Sequence, residues 1–122
     1  MKISILLPFK EDYTAKYSGA VSIHVSNLFN FSKLKKSTTI YGNTSSKKYL
    51  TANFKNIKIT PSVLASNNIK YVKRFISLQK NNEPNIIEIH NRPNYVDIIN
   101  DNLSSKIILY FHNNPLTISG SK

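Results

Sequence analysis

Two short apolar runs in this chain stop at the same punctuation. Ile86, Ile87, Glu88 and Ile89 lead into His90, Asn91, Arg92, Pro93, and Ile107 to Phe111 leads into His112, Asn113, Asn114, Pro115. Proline cannot donate to a strand ladder and asparagine readily closes a turn, so each His-Asn-x-Pro tetrapeptide marks the point where a strand leaves a sheet. Runs this short and this continuously apolar suit strands covered on both faces, as in a parallel sheet. If the two strands are parallel neighbours, both histidines stand on one rim. Open α/β sheets bind ligands there, outside the carboxyl ends of the strands.

The rest of the chain supplies the partners such a sheet needs. Ile3 to Leu7, ended by Pro8, reads as a first strand. Ser18 is placed to cap a helix from Gly19 to about Leu34, in which Val21, Val25, Leu28 and Phe29 recur at helical spacing. Lys33, Lys35 and Lys36 would close it where the helix dipole favours cations. Thr38 to Tyr41 reads as a second strand before a turn at Gly42 and Asn43, Ser45 to Asn56 as a polar loop, and Ile57 to Thr60 as a third strand. Ser66 would cap a second helix carrying Ala65, Ile69, Val72, Phe75 and Ile76, and a third helix begins near Asn94 with Val96, Ile99 and Leu103 at its core positions.

Strands alternating with helical patterns in this order predict an α/β fold, a Rossmann-like open parallel sheet with helices on both faces and right-handed crossovers. The 122 residues are enough for a single domain. The strand ending at His112 is expected to be central, yet Leu116 to Lys122 offers no helix to cover it. The expectation is therefore an incomplete domain, the front part of a longer protein.

Composition narrows the chemistry. With no cysteine, disulfides, thiolate metal sites and cysteine nucleophiles are excluded. No run approaches the ~20 apolar residues of a membrane span, and the five apolar residues before Pro8 are too few for a signal peptide, so a cytoplasmic chain is expected. The net charge of +11 comes almost entirely from lysine. Lysine crowded together with asparagine and isoleucine is what a codon bias toward A and T produces. The charge is also compatible with peripheral contact with an anionic membrane at its inner face, whereas nucleic acid is not expected as a partner.

Among residues able to carry chemistry, Gly19 and Ala20 open the first helix, where backbone amides form a phosphate seat; Gly19 is read either as a tight turn or as a ligand-facing one. Neither the three-glycine dinucleotide fingerprint nor a P-loop is present. His112 and His90 are each read as a rim ligand or as a structural histidine bonded to a turn, and His24 as a packing or capping residue. Arg92 could clamp a carboxylate or phosphate, or pair with Asp97. Glu11 and Asp12 could supply a general base or be a solvated loop. Glu88, inside an apolar strand, must be paired if buried. The three histidines lack the spacing of a zinc site, so no metal is expected.

Lys2 to Pro8, Ser18 to Val21, the helix with His24, Val25, Asn27 and Leu28, and the strands ending at His90 and His112 together resemble the N-terminal domain of GT-B glycosyltransferases of the group 1, or family 4, kind. His90 to Pro93, His112 to Pro115 and the terminal Ser119 to Lys122 are similar to a subgroup acting on bacterial surface polysaccharides or lipopolysaccharide. The resemblance implies transfer of a sugar from a nucleotide-diphosphate donor, the co-substrate, to a saccharide or lipid-linked hydroxyl acceptor, with retention and no obligatory metal or other cofactor. It implies that Gly19 and Ala20 approach the donor phosphate, that His112 is catalytic beside the transferred sugar, and that His90, Asn91 and Arg92 lie on the acceptor side. Ala20 stands where the family has a second glycine. The family's donor-site glutamate pair belongs to a further domain, so the chain alone is expected to be inactive. Two other readings are a non-catalytic α/β binding module, an acceptor-binding half working with a partner chain, and a flavodoxin-like regulator. The regulator's acidic strand-end cluster is not visible.

Overall fold

The computed structural model describes residues 1–45, 47–60 and 66–112. Within them the chain forms β1 (Ile3–Leu6), α1 (Ala20–Phe31), β2 (Thr38–Gly42), β3 (Phe54–Asn56), α2 (Asn67–Gln79), β4 (Ile86–His90), α3 (Asn94–Asn102) and β5 (Lys106–Tyr110). The strands make one sheet in the order β3-β2-β1-β4-β5, and every neighbouring pair is parallel. The fold is α/β and Rossmann-like, as the alternation of apolar runs requires. The two strands that end in histidine are neighbours in register, with His90 opposite Tyr110. From β1 the chain first builds outward through β2 and β3, then returns to the other side of β1 for β4 and β5. At that reversal the loops after β1 and β4 diverge and leave a crevice at the carboxyl ends of the strands.

Two cores lie on the two sheet faces. Ile3, Ile5 and Leu7 pack with Val21, Val25 and Phe29 of α1, together with Ile40, Phe54 and Tyr13. On the opposite face Leu6, Tyr41, Ile87 and Ile89 pack with Tyr71, Val72, Phe75 and Ile76 of α2 and with Tyr95 and Ile99 of α3. The assignment follows strand alternation, since successive side chains point to opposite faces. Buried tyrosines tie the loop after β1 to the second core. Tyr71 Oη donates to the Leu7 carbonyl at 2.6 Å, and Tyr95 Oη donates to Asn68 Oδ1 at 2.6 Å while accepting from the Phe9 amide at 3.2 Å. Burial pushes the Tyr71 phenol well above its usual range, which keeps it a donor.

Several expectations are corrected. The third strand is Phe54–Asn56, not Ile57 to Thr60. Phe54 pairs opposite Ile40, and Ile57 is buried beyond the strand with its amide donating to the Gly42 carbonyl. The polar letters around Phe54 hid a strand that needs only one inward side chain. The first helix ends at Phe31 with no basic residue in its last turn. Ser32 turns extended and its Oγ accepts from the Leu34 amide at 3.0 Å, so Lys35 begins a separate 3-10 turn. Leu28 and Ile69 are exposed rather than on the core faces.

Ser66 caps α2 as expected, accepting from the Ile69 amide at 3.4 Å. Among the described residues β5 is an edge strand, not a central one, and Ile107, Ile108 and Leu109 are only half-buried. Ala65 and residues 113–122, which carried expectations, lie outside the described residues.

Phe75 is fully buried and meets Tyr41 edge-on at 5.2 Å between ring centroids. Phe75→Ala should cost about 3–5 kcal/mol in urea denaturation, the range for deleting a core aromatic ring. An unchanged midpoint would deny that α2 seals this face.

Candidate functional site

The crevice is built from three segments: the loop after β1, the residues closing β4, and the residues closing β5. Gly19 is the N-cap of α1 and supplies no side-chain cap, so the Ser18 expectation is replaced. The cap comes from Glu11 instead. Its Oε2 accepts from the Gly19 amide at 3.0 Å, the Ser22 amide at 3.4 Å and Ser22 Oγ at 2.9 Å. A carboxylate here satisfies amides that the helix leaves without partners and complements the positive end of its dipole. Gly19 has an ordinary extended backbone, so its value is space. A Cβ at that position would lie 2.5 Å from Glu11 Oε2. The phosphate seat expected at Gly19 and Ala20 therefore already holds an anion of the chain's own. The neighbouring amides of Ala20 and Val21 are not engaged by Glu11.

The three histidines converge, which sequence spacing did not reveal. His90 Nδ1 lies 2.7 Å from His112 Nε2, and the His24 ring stands edge-on to His112 at 4.8 Å between centroids. His24, expected to pack, is exposed on α1 and faces this cluster. Its signal was its position one turn past the helix start, on the crevice side.

His112 is held by its backbone as well as its ring. Its amide donates to Asn91 Oδ1 at 2.7 Å, and Asn91, at a φ of 56°, donates its own amide to the Tyr110 carbonyl at 2.8 Å. Left-handed backbone of this kind is tolerated by asparagine better than by most residues. Burial first, then the nearby His90 and His24, holds the His112 imidazole below its usual range, with Glu11 opposing. His112 is thus biased toward the neutral ring at the rim.

The other expected site residues are distributed differently. His90 is buried behind His112 with 1% exposure, so it is not itself a rim group. Asn91 is buried and serves the tie just described. Arg92 is half-buried and donates from Nη1 to the Asn91 carbonyl at 2.7 Å rather than pairing with Asp97. Asp12 accepts from the Ser45 amide at 3.0 Å and so joins two loops. Glu88 points away from Ile87 and Ile89, toward the α1 side of the sheet.

A groove of about 210 Å³ opens there between α1 and the sheet, walled by Ile5, Val25, Leu28 and Phe29, with Glu88 and His90 on its floor. Among the described residues no group of three or more histidine, aspartate or glutamate side chains is disposed to hold a metal ion. No helix among them is long and apolar enough to cross a membrane. No protein-family model matches the chain, and no curated protein matches it significantly.

Two outcomes follow from this geometry. Glu11→Ala should cost roughly 0.5–2 kcal/mol of stability, the usual loss on removing a helix cap, read by chemical denaturation. A depressed His112 pKa means that the unfolded chain binds more protons between the folded value and the usual imidazole value of about 6.5. This contribution to stability is full above about pH 6.5 and is lost as pH falls through the folded value. Melting temperature should fall over that window in the native chain and fall less in His112→Ala; identical slopes would contradict the shift.

Proposed function

We propose that this chain is the N-terminal, acceptor-side part of a GT-B glycosyltransferase. It moves a sugar from a nucleotide-diphosphate donor to a hydroxyl on a saccharide or lipid-linked acceptor in surface-polysaccharide or lipopolysaccharide synthesis. The observation that carries this reading is the approach of α1 to His112, whose ring lies 4.8 Å from that of His24, beside the crevice between β1 and β4 where α/β sheets take their ligands. A diphosphate leaving group gathers negative charge as the bond to the sugar breaks, and helix-start amides stabilise such charge. Gly19 and Ala20 supply these amides, and Glu11 yields its place or leaves the phosphate to the amides of Ala20 and Val21. His112 lies beside the transferred sugar. His90 and Asn91 hold it there, and Arg92 borders the acceptor side.

In this reading the nucleotide is gripped by a further domain carrying the family's glutamate pair, and the chain works in the cytoplasm at the inner membrane face. Its surplus of lysine favours an anionic surface there. One observation favours a second reading, a non-catalytic binding half that works with a partner chain. The Glu11 carboxylate already fills the anion seat at α1.

The test has two arms. Titrating the isotopically labelled chain with saccharides should shift the signals of His112 and Arg92, while the chain alone turns over no sugar nucleotide. In the protein that joins this chain to a nucleotide-binding domain, His112→Ala should lower kcat roughly 100-fold or more, as loss of a positioned polar group at the reacting centre does, with a small change in melting temperature. An unchanged kcat would reduce His112 to a structural residue and favour the binding half. Turnover by the 122-residue chain alone would remove the need for a second domain.

A further inference from the structure

His90 is the buried link between the rim and the groove. Glu88 and His90 are two residues apart on β4, so both side chains stand on the α1 face of the sheet. The His90 ring is stacked on Tyr110 at 5.0 Å with 7° between the planes, which fixes its orientation. Its Nδ1 faces His112 Nε2 at 2.7 Å, whereas its Nε2 is buried with no hydrogen-bond partner among the described residues. An orphaned ring nitrogen at 1% exposure is costly unless something satisfies it. The charged acceptor that faces it is Glu88 Oε2, at 3.7 Å. That is too long for a hydrogen bond, but a shift of about 0.7 Å brings it into range. Glu88, with a side-chain exposure of 22% on the groove floor, has room to make that shift.

The consequence lies in where the protons sit. A neutral imidazole carries one N–H and one lone pair, and the partner of one nitrogen decides the role of the other. A proton on His90 Nδ1 would turn the Nε2 lone pair toward a carboxylate. A proton on Nε2 gives Glu88 a donor and leaves Nδ1 as an acceptor. His112 must then donate from its own Nε2, and its lone pair is left on Nδ1. Other charged or titratable groups face this pair from each side: Glu11 from the β1–α1 loop, His24 from α1 and Tyr110 from β5. Among the described residues His112 Nδ1 makes no hydrogen bond.

We propose that Glu88, acting through His90, fixes His112 as its Nε2–H tautomer, so that His112 meets a ligand as a hydrogen-bond acceptor at Nδ1. Glu88 and His90 are positioning residues for His112. His112 Nδ1 then favours a group that donates a proton or hydrogen bond, a hydroxyl, over a proton-free anionic oxygen, which would meet a lone pair. That the hydroxyl belongs to a sugar rests on the glycosyltransferase reading; the tautomers do not.

Nitrogen-15 NMR of the imidazole rings decides the matter in the intact chain near pH 7.5, because protonated and unprotonated ring nitrogens have well-separated shifts. Both His90 and His112 should carry their proton on Nε2. In Glu88→Gln, whose amide can present either a donor or an acceptor to His90, both rings should become tautomer mixtures while the dispersed backbone spectrum persists. A His112 proton on Nδ1 in the native chain would overturn the proposal even if the variant fails to fold, and so would a folded Glu88→Gln with both rings unchanged.

Methyl glycosides of glucose and galactose should move the His112 Nδ1 resonance while that nitrogen stays unprotonated, and inorganic phosphate at the α1 start should leave both tautomers unchanged. A proton found on His112 Nδ1 in the saccharide-bound chain would overturn the acceptor role. The stated tautomers with no response to any saccharide would support the relay and count against the glycosyltransferase reading.

Discussion

Everything in this molecule depends on the parallel pairing of β1 with β2 on one side and β4 on the other. Parallel strands cannot be joined by tight hairpins, so each connection must cross a face of the sheet and every strand must end on the same side. That requirement places α1 on one face and α2 and α3 on the other, and it aligns the carboxyl ends that carry Glu11, His90 and His112. The reversal of strand order at β1 separates the adjoining loops, so the crevice follows from topology before any side chain is considered.

Within the crevice, the chain spends its polar groups mainly on one another. Glu11 caps α1, Asn91 holds the backbone of His112, and Arg92 braces the turn that Asn91 makes. These contacts preorganise the rim. His112 is left as a mostly neutral ring with one nitrogen committed to His90. A surface so internally satisfied is suited to recognising a few atoms of a ligand with fixed geometry, since little ordering remains to be done on binding.

The pairing of the two histidine-ending strands rests on the sheet order, whereas the strands themselves were legible wherever apolar runs were continuous, as at Ile3 to Leu6 and Ile86 to Ile89. The cap at Ser66 was legible for the same local reason. Phe54 was not, because an edge strand of three residues with one buried ring leaves no periodic trace. Glu11 was not, because its partners at Gly19 and Ser22 are brought close by a loop path rather than by helical or strand spacing. The histidine cluster draws on α1, β4 and the end of β5, so only the sheet order joins its members. Among the described residues β5 has a strand neighbour on one side only, which accounts for its half-buried state.

Asn91 sets a limit on how this rim can vary. Its backbone sits in the left-handed region, and its side-chain carbonyl accepts from the amide that positions His112. Glycine would keep the turn and drop the tether, and serine or threonine would strain the turn. Only asparagine and, with a changed charge, aspartate meet both demands. The orientation of His112 is therefore written into an alphabet of two letters, one strand away from the ring it controls.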